Sequence, residues 1–245
     1  MSIQKINEHL LTYPESKTTQ LTVSSKQETG SLYHISKDTS IKSFTPRFSK
    51  RQMSTEDITI ARVVCAPTIY GCVLAYSSIH SDYTAFENKK VDKDSIFKGG
   101  YVVYEIDYEY NLNPSKKLVP DVKNTDEKWL VSYSEETREY PAKKIAKFFV
   151  EQFMYKPTEN KLPTIESILF IEVMDSSGLK LSTNHKLDKG FYKVELPIWD
   201  HESWSNLSFD KDSMMKIEPI DYDQYKDSKN KVASLLSEVP EYLNW

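Results

Sequence analysis

The chain has 245 residues, of which 39% are hydrophobic and 28% charged, a balance that suits a folded globular protein and excludes a disordered or fibrous one. Its 32 Lys and Arg against 36 Asp and Glu leave a net charge of -4, so no overall basic field exists to coat nucleic acid. With only 6 glycines, neither GxGxxG nor GxxxxGKS/T can be written, which removes the Rossmann fingerprint, the P-loop and the kinase glycine loop together.

Other coarse features narrow the class further. No run of about 18 apolar residues occurs, and Met1 to Pro14 lacks an apolar signal core and a small-residue cleavage site. The expectation is a cytoplasmic protein with no membrane contact. The 2 cysteines, Cys65 and Cys72, sit in an apolar stretch without a CxxC or flanking His, and read as reduced core thiols. The aromatic fraction of 12%, much of it in short alternating runs, favours strands over helices.

In chain order, Ile3 to Leu11 reads as a short helix and Thr18 to Gly30, rich in Ser, Thr and Lys, as solvated chain. Residues 1–30 are accordingly expected to form an N-terminal arm. Leu32 to Ser36 is a strand candidate, followed by a loop that Pro46 stiffens beside Arg47. The β-branched run Ile60 to Ala66 reads as a buried strand ending at Pro67, and Thr68 can cap a helix from Ile69 to Ser77. In that helix Ile69, Cys72, Val73 and Tyr76 share one face.

Tyr101 to Ile106 and Glu127 to Tyr133 are further strands. Pro141 to Tyr155 spaces Ile145, Phe148, Phe149, Gln152 and Phe153 as a helix would, with Pro141 in the first turn, and predicts a boundary helix. After the charged connector Lys156 to Pro163, the runs Ser167 to Val173, Leu179 to Leu181 and Phe191 to Leu196 predict strands, and Ser228 to Leu236 a closing helix. This divides the chain into the arm, a domain over 31–155, and a strand-rich C-terminal extension or small module over 164–245.

Three residue groups carry a resemblance. They are Leu32-Tyr33-His34-Ile35-Ser36 with Pro46-Arg47, the run from Ala61 to Cys72, and Val119-Pro120-Asp121 followed by Asp126-Glu127-Lys128-Trp129. Over roughly residues 31 to 135 this layout resembles a group of small phage and bacterial proteins. It is in turn similar to the diphtheria-toxin-like (H-Y-E) branch of the ADP-ribosyltransferase superfamily. The resemblance implies an α+β fold of split antiparallel sheets with few helices. It implies NAD as substrate and transfer of ADP-ribose to a protein or nucleic-acid acceptor, as a phage effector would do in a host cytoplasm.

Carried over, the resemblance makes His34 the strand histidine that bonds the adenosine ribose, Ser36 a contact on the nicotinamide side, and Glu127 the catalytic acid. Arg47 would pair the pyrophosphate, whose oxygens a guanidinium fork matches. Tyr70 or Tyr76 would stack on nicotinamide, with Tyr104 a third choice. Asp121, Asp126, Glu135 and Glu136 are acidic alternatives to Glu127.

The chemistry is clear on its own terms. Cleaving the glycosidic C–N bond of NAD develops oxocarbenium charge on the ribose, and a carboxylate accepting from the 2'-hydroxyl stabilises it. The bland readings are a structural His34, a solvated Glu127 at a strand end and a solvated basic loop around Arg47. Arg62, interrupting a buried run, should face outward or pair with Glu56 or Asp57. Asp200-His201-Glu202 reads as a loop, since neighbouring positions on a strand diverge. A rival function is a non-enzymatic module that binds a nucleotide or blocks a host-defence partner.

Overall fold

A computed structural model describes residues 3–10, 12–48, 59–75, 100–132, 138–157, 163–199 and 215–237. The architecture is α+β, with few helices and extensive antiparallel sheet. Two compact units divide the chain, one from residues 1–75 and 104–144 and the other from 76–103 and 145–245. Among the described residues, no helix is long and apolar enough to cross a membrane.

The first unit begins with α1 (Ile3–Leu10), α2 (Glu15–Thr18), β1 (Leu21–Ser25) and α3 (Lys26–Thr29). It continues through β2 (Leu32–Ser36), β3 (Ser43–Phe44), β4 (Val63–Cys65) and α4 (Ile69–Ala75). Then come the end of β5 (Gly100–Ile106) from Tyr104, β6 (Tyr110–Pro114), α5 (Val122–Thr125), β7 (Lys128–Leu130) and the opening of β8 (Tyr140–Pro157). Its four-stranded sheet runs β1-β6-β7-β4 and is antiparallel throughout.

The N-terminal arm is therefore corrected. Leu21 to Ser25 pair with Pro114 to Tyr110, and Ile6, Leu10 and Leu21 enter a core with Leu112 and Trp129. The physical reason is a period of two within a polar run: Leu21 and Val23 point to the core while Thr22 and Ser24 alternate with them. At the end of this stretch α3 opens with the Ser25 N–H donating to Glu28 Oε2 at 2.9 Å and closes on Gly30, whose φ of 72° suits glycine.

The predicted strand–cap–helix from 60 to 77 is present in its described part, as β4 followed by α4. Thr68 Oγ1 accepts from the Gly71 N–H at 3.0 Å, which satisfies one of the orphan donors of α4. All of Ile69 to Leu74 is buried, not one face alone. The other side of α4 is covered by α5: a Cβ at Gly71 would collide with the Thr125 carbonyl oxygen, so the two backbones approach as only glycine allows.

The second unit holds a sheet in which β13 (Lys216–Ile220), β12 (Gly190–Trp199), β9 (Pro163–Val173) and β8 lie in that order. A short hairpin, β10 (Leu179–Lys180) with β11 (Lys186–Leu187), and the helix α6 (Tyr222–Ser237) complete it. The predicted helix from 141 to 155 is corrected to strand: β8 pairs with β9 from Ala146↔Val173 to Pro157↔Pro163, with a bulge between Val150 and Gln152. Ala146, Phe148 and Val150 are buried on one face, and Ile145 and Phe149 on the other. A strand buried on both faces loses its period of two, which is why the spacing mimicked a helix. Phe149 and Phe170 stack at 5.1 Å, and Tyr225 of α6 closes over them.

Candidate functional site

Strand β4 is the reference for every group of interest, because its two edges are satisfied in different ways. Toward β7 the pairing is regular: Val63↔Leu130, Val64↔Trp129 and Cys65↔Lys128. On the opposite edge the partner changes residue by residue. Ala66 exchanges both backbone hydrogen bonds with Tyr33 of β2, at 2.8 and 3.0 Å, and Arg62 exchanges both with Arg47, at 3.3 and 3.0 Å. Between them the Val64 carbonyl accepts from the His34 imidazole, with Nδ1 at 2.8 Å.

His34 thus acts as a rung where the strands have parted. A carbonyl only accepts, so Nδ1 carries the proton in the neutral ring. The imidazole also lies 4.5 Å from the Phe44 ring. Burial holds its pKa below the ordinary 6.5, the Val64 hydrogen bond opposes that, and the charge of Arg47 adds to the depression.

Glu127 sits just before β7 and is built from the other side. The turn that delivers it has Asp126 at φ 50°, among the described residues the only non-glycine with positive φ. Such a conformation costs free energy and persists where surroundings impose it. Here they do: the Gly71–Thr125 approach fixes the chain just upstream, and Asp126 is tied to Lys128 by an ion pair at 2.6 Å. The Glu127 side chain is 6% exposed, and its Oε1 accepts from the Trp129 indole N–H at 2.5 Å.

The Arg62 guanidinium lies 4.1 Å above the Trp129 ring. A cation over the ring face and an anion at the N–H edge both suit the indole charge distribution. Arg62 is buried, not outward as expected, because the cross-strand neighbour of Val64 is a tryptophan broad enough to receive it. The expected partners Glu56 and Asp57 lie outside the described residues, as do Glu135, Glu136 and the 200–202 cluster. Sequence reasoning did not assign Trp129 a part in this site; its signal was an aromatic two residues beyond an acid on one strand.

The remaining candidates separate. Ser36 Oγ accepts from the Asp38 N–H at 3.1 Å and serves the loop after β2. Asp38 in turn accepts from the Ser40 hydroxyl at 2.6 Å and N–H at 2.8 Å, and these bonds, aided by the Lys144 charge, hold its carboxyl below the ordinary value. Arg47 has an exposed side chain beside His34. Tyr70 is buried within α4 and offers no open ring face; Tyr76 lies outside the described residues. Tyr104 is a core residue whose hydroxyl donates to the Asp38 carbonyl at 2.9 Å.

Pleating decides which groups share a side. Tyr33, Ala66, Val64 and Trp129 lie on one side of the sheet by pairing, and Glu127 joins them through its bond to the indole. His34 follows Tyr33 and points the other way, with Leu32, whose core includes Cys65 and Leu130 and receives Phe44. His34 and Glu127 therefore flank the same stretch of β4 but emerge on opposite sides of it. Among the described acidic candidates, Glu127 alone is buried.

No family model, curated protein or solved structure matches this chain. The two thiols nearby are free and buried. Burial, then Cys72 and the Glu127 charge, push Cys65 well up, and burial raises Cys72 to about 12, so neither is a ready nucleophile near neutral pH.

Proposed function

We propose that this chain is an ADP-ribosyltransferase-like protein that binds NAD at the first unit, with Glu127 as the acid that governs transfer of ADP-ribose to a macromolecule. The observation that carries this reading is the Glu127 corner. A carboxylate is buried just before a strand, delivered by a strained non-glycine turn and oriented by the N–H of an indole whose ring face carries a guanidinium. Fixed groups of this kind are what stabilising an oxocarbenium ribose requires. In the reaction the C–N bond breaks with its electron pair leaving on nicotinamide. The acceptor nucleophile then forms a new bond to the anomeric carbon and gives up its proton.

This reading rests on Glu127, and the burial of Tyr70 leaves that residue no open ring face for nicotinamide. His34 acts in this reading on the fold, holding the strands apart at Val64, and not on the far end of the dinucleotide. That same observation favours a second reading: a binding protein that grips a nucleotide or a partner without turnover, in which His34 and Glu127 are both framework.

Purified protein incubated with NAD and cell lysate separates the two. The first reading expects nicotinamide release, and Glu127→Gln to lose about 10²–10³-fold in rate while NAD affinity by calorimetry stays the same. Saturable binding with no nicotinamide released supports the second. Undiminished turnover in Glu127→Gln removes Glu127 from the reaction.

A further inference from the structure

We propose that Arg62 is a positioning residue for Glu127 and acts on it through the indole of Trp129. Its part in turnover rests on the reading of Glu127 given above; its action on the carboxylate does not. The guanidinium is held by more than the ring. The Arg62 backbone exchanges both hydrogen bonds with Arg47, at 3.3 and 3.0 Å, and its Nη1 donates to the Ile60 carbonyl at 3.3 Å. From that place it lies 4.1 Å from the centre of the Trp129 ring. The indole is confined as well: Trp129 is fully buried and pairs with Val64 of β4 on one side and with Leu112 of β6 on the other.

An indole has a negative face and a positive edge, with its N–H on that edge. A cation over the face draws electron density toward itself, so the N–H becomes a stronger donor. The acceptor there is Glu127 Oε1, at 2.5 Å from the indole nitrogen. Glu127 is 6% exposed and Arg62 4%, so either charge alone would be costly to bury, and each offsets the other across one ring. Geometry adds to charge: the guanidinium and the neighbouring strands fix the ring plane, the ring plane aims the N–H, and the N–H places the carboxylate. A lysine at 62 would keep the charge and lose the planar fork that lies over a ring while reaching the Ile60 carbonyl. A direct effect of one charge on the other would not need the indole, and that difference can be measured.

The first test is a double-mutant cycle in the full chain, read by urea unfolding without NAD. Arg62→Met and Glu127→Gln each leave one buried charge without its counterpart, whereas the two together leave neither. The combined loss in the unfolding constant should therefore be about tenfold smaller than the product of the single losses. The same cycle in Trp129→Phe protein keeps a ring face for the guanidinium and lacks the N–H, and the coupling should drop to about twofold or less. Nicotinamide release then reads the part in turnover. Arg62→Met should lose about tenfold in kcat with NAD affinity unchanged, and should cost nothing further in Trp129→Phe protein. Arg62→Lys, a milder change should Arg62→Met not fold, should lose about threefold in kcat and again nothing once the indole is gone. Additive losses overturn the proposal. So does coupling that persists without the indole, which would be direct action of one charge on the other, or an equal loss in kcat from Arg62→Lys in both backgrounds. Coupling that vanishes with the indole in a protein that releases no nicotinamide supports the proposal and removes the enzymatic reading instead.

Discussion

The two units bury different kinds of group. Among the described residues, Arg62, Asn111, Thr125 and Glu127 are buried in the first unit, whereas Ser182 is the buried polar residue of the second. Among the described residues of the second unit, Phe149, Phe170 and Tyr225 form an apolar contact between its sheet and α6. Burying a charge costs free energy that packing alone would not. The first unit therefore gives up stability to hold a carboxylate, an indole and a guanidinium in one arrangement, whereas the described contacts beneath α6 in the second are apolar.

The sharpest way to break this contrast is to damage each unit by itself. Phe170→Ala removes a ring that is 4% exposed and stacked on Phe149, and should cost about 3–5 kcal/mol in urea unfolding while leaving nicotinamide release by the native fraction unchanged. Gly71→Ala is the counterpart in the first unit. Its new methyl meets the Thr125 carbonyl, and overpacking of this kind costs about 1–3 kcal/mol. Because Thr125 leads directly to the strained Asp126, this variant should also lower turnover, unlike Phe170→Ala. Unaltered turnover in Gly71→Ala would detach the α4–α5 approach from the Glu127 corner.

Trp129→Phe tests the corner more finely. Phenylalanine keeps an aromatic ring but is smaller than indole, so a fully buried site loses packing as well as the hydrogen bond to Glu127 Oε1, and the hydrogen bond alone is worth about 1–3 kcal/mol. Stability should fall by at least that amount in thermal unfolding, and turnover should fall with little change in NAD affinity. Equal stability of the two proteins would show that the indole N–H adds nothing to stability at Glu127.

Much of the framework was legible in the sequence. Leu32 to Ser36, the Thr68-capped helix and the strand from Gly100 to Ile106 announce themselves by alternation, a capping hydroxyl and β-branched or aromatic content. Strand β8 did not, because burial on both faces and a bulge erase the alternation. The strand at Leu21 hid inside a polar composition. Of the site, Glu127 and His34 could be singled out, yet not the side of the sheet each would take. That depends on a left-handed turn at an aspartate and on an imidazole standing in for a strand, and neither leaves a periodic signal.

His34 gives the smallest effect and the most specific one. Its pKa in the folded protein lies below the ordinary 6.5, so between the two values the unfolded chain binds more protons than the folded one. The contribution to stability is complete above the unfolded value and is lost as pH falls through the folded one. Asp38, also depressed, works in a separate window, beneath its ordinary 3.8. His34→Phe keeps an aromatic ring against Phe44 but gives up the part-buried hydrogen bond to the Val64 carbonyl, where water can take the donor's place, and should cost about 0.5–1.5 kcal/mol near pH 8. Between about pH 7 and pH 5 the wild-type protein should lose stability faster than the variant, so that their unfolding curves draw together as the solution is acidified. Parallel curves would show that the folded protein does not hold this imidazole neutral, and the rung at Val64 would then be indifferent to charge.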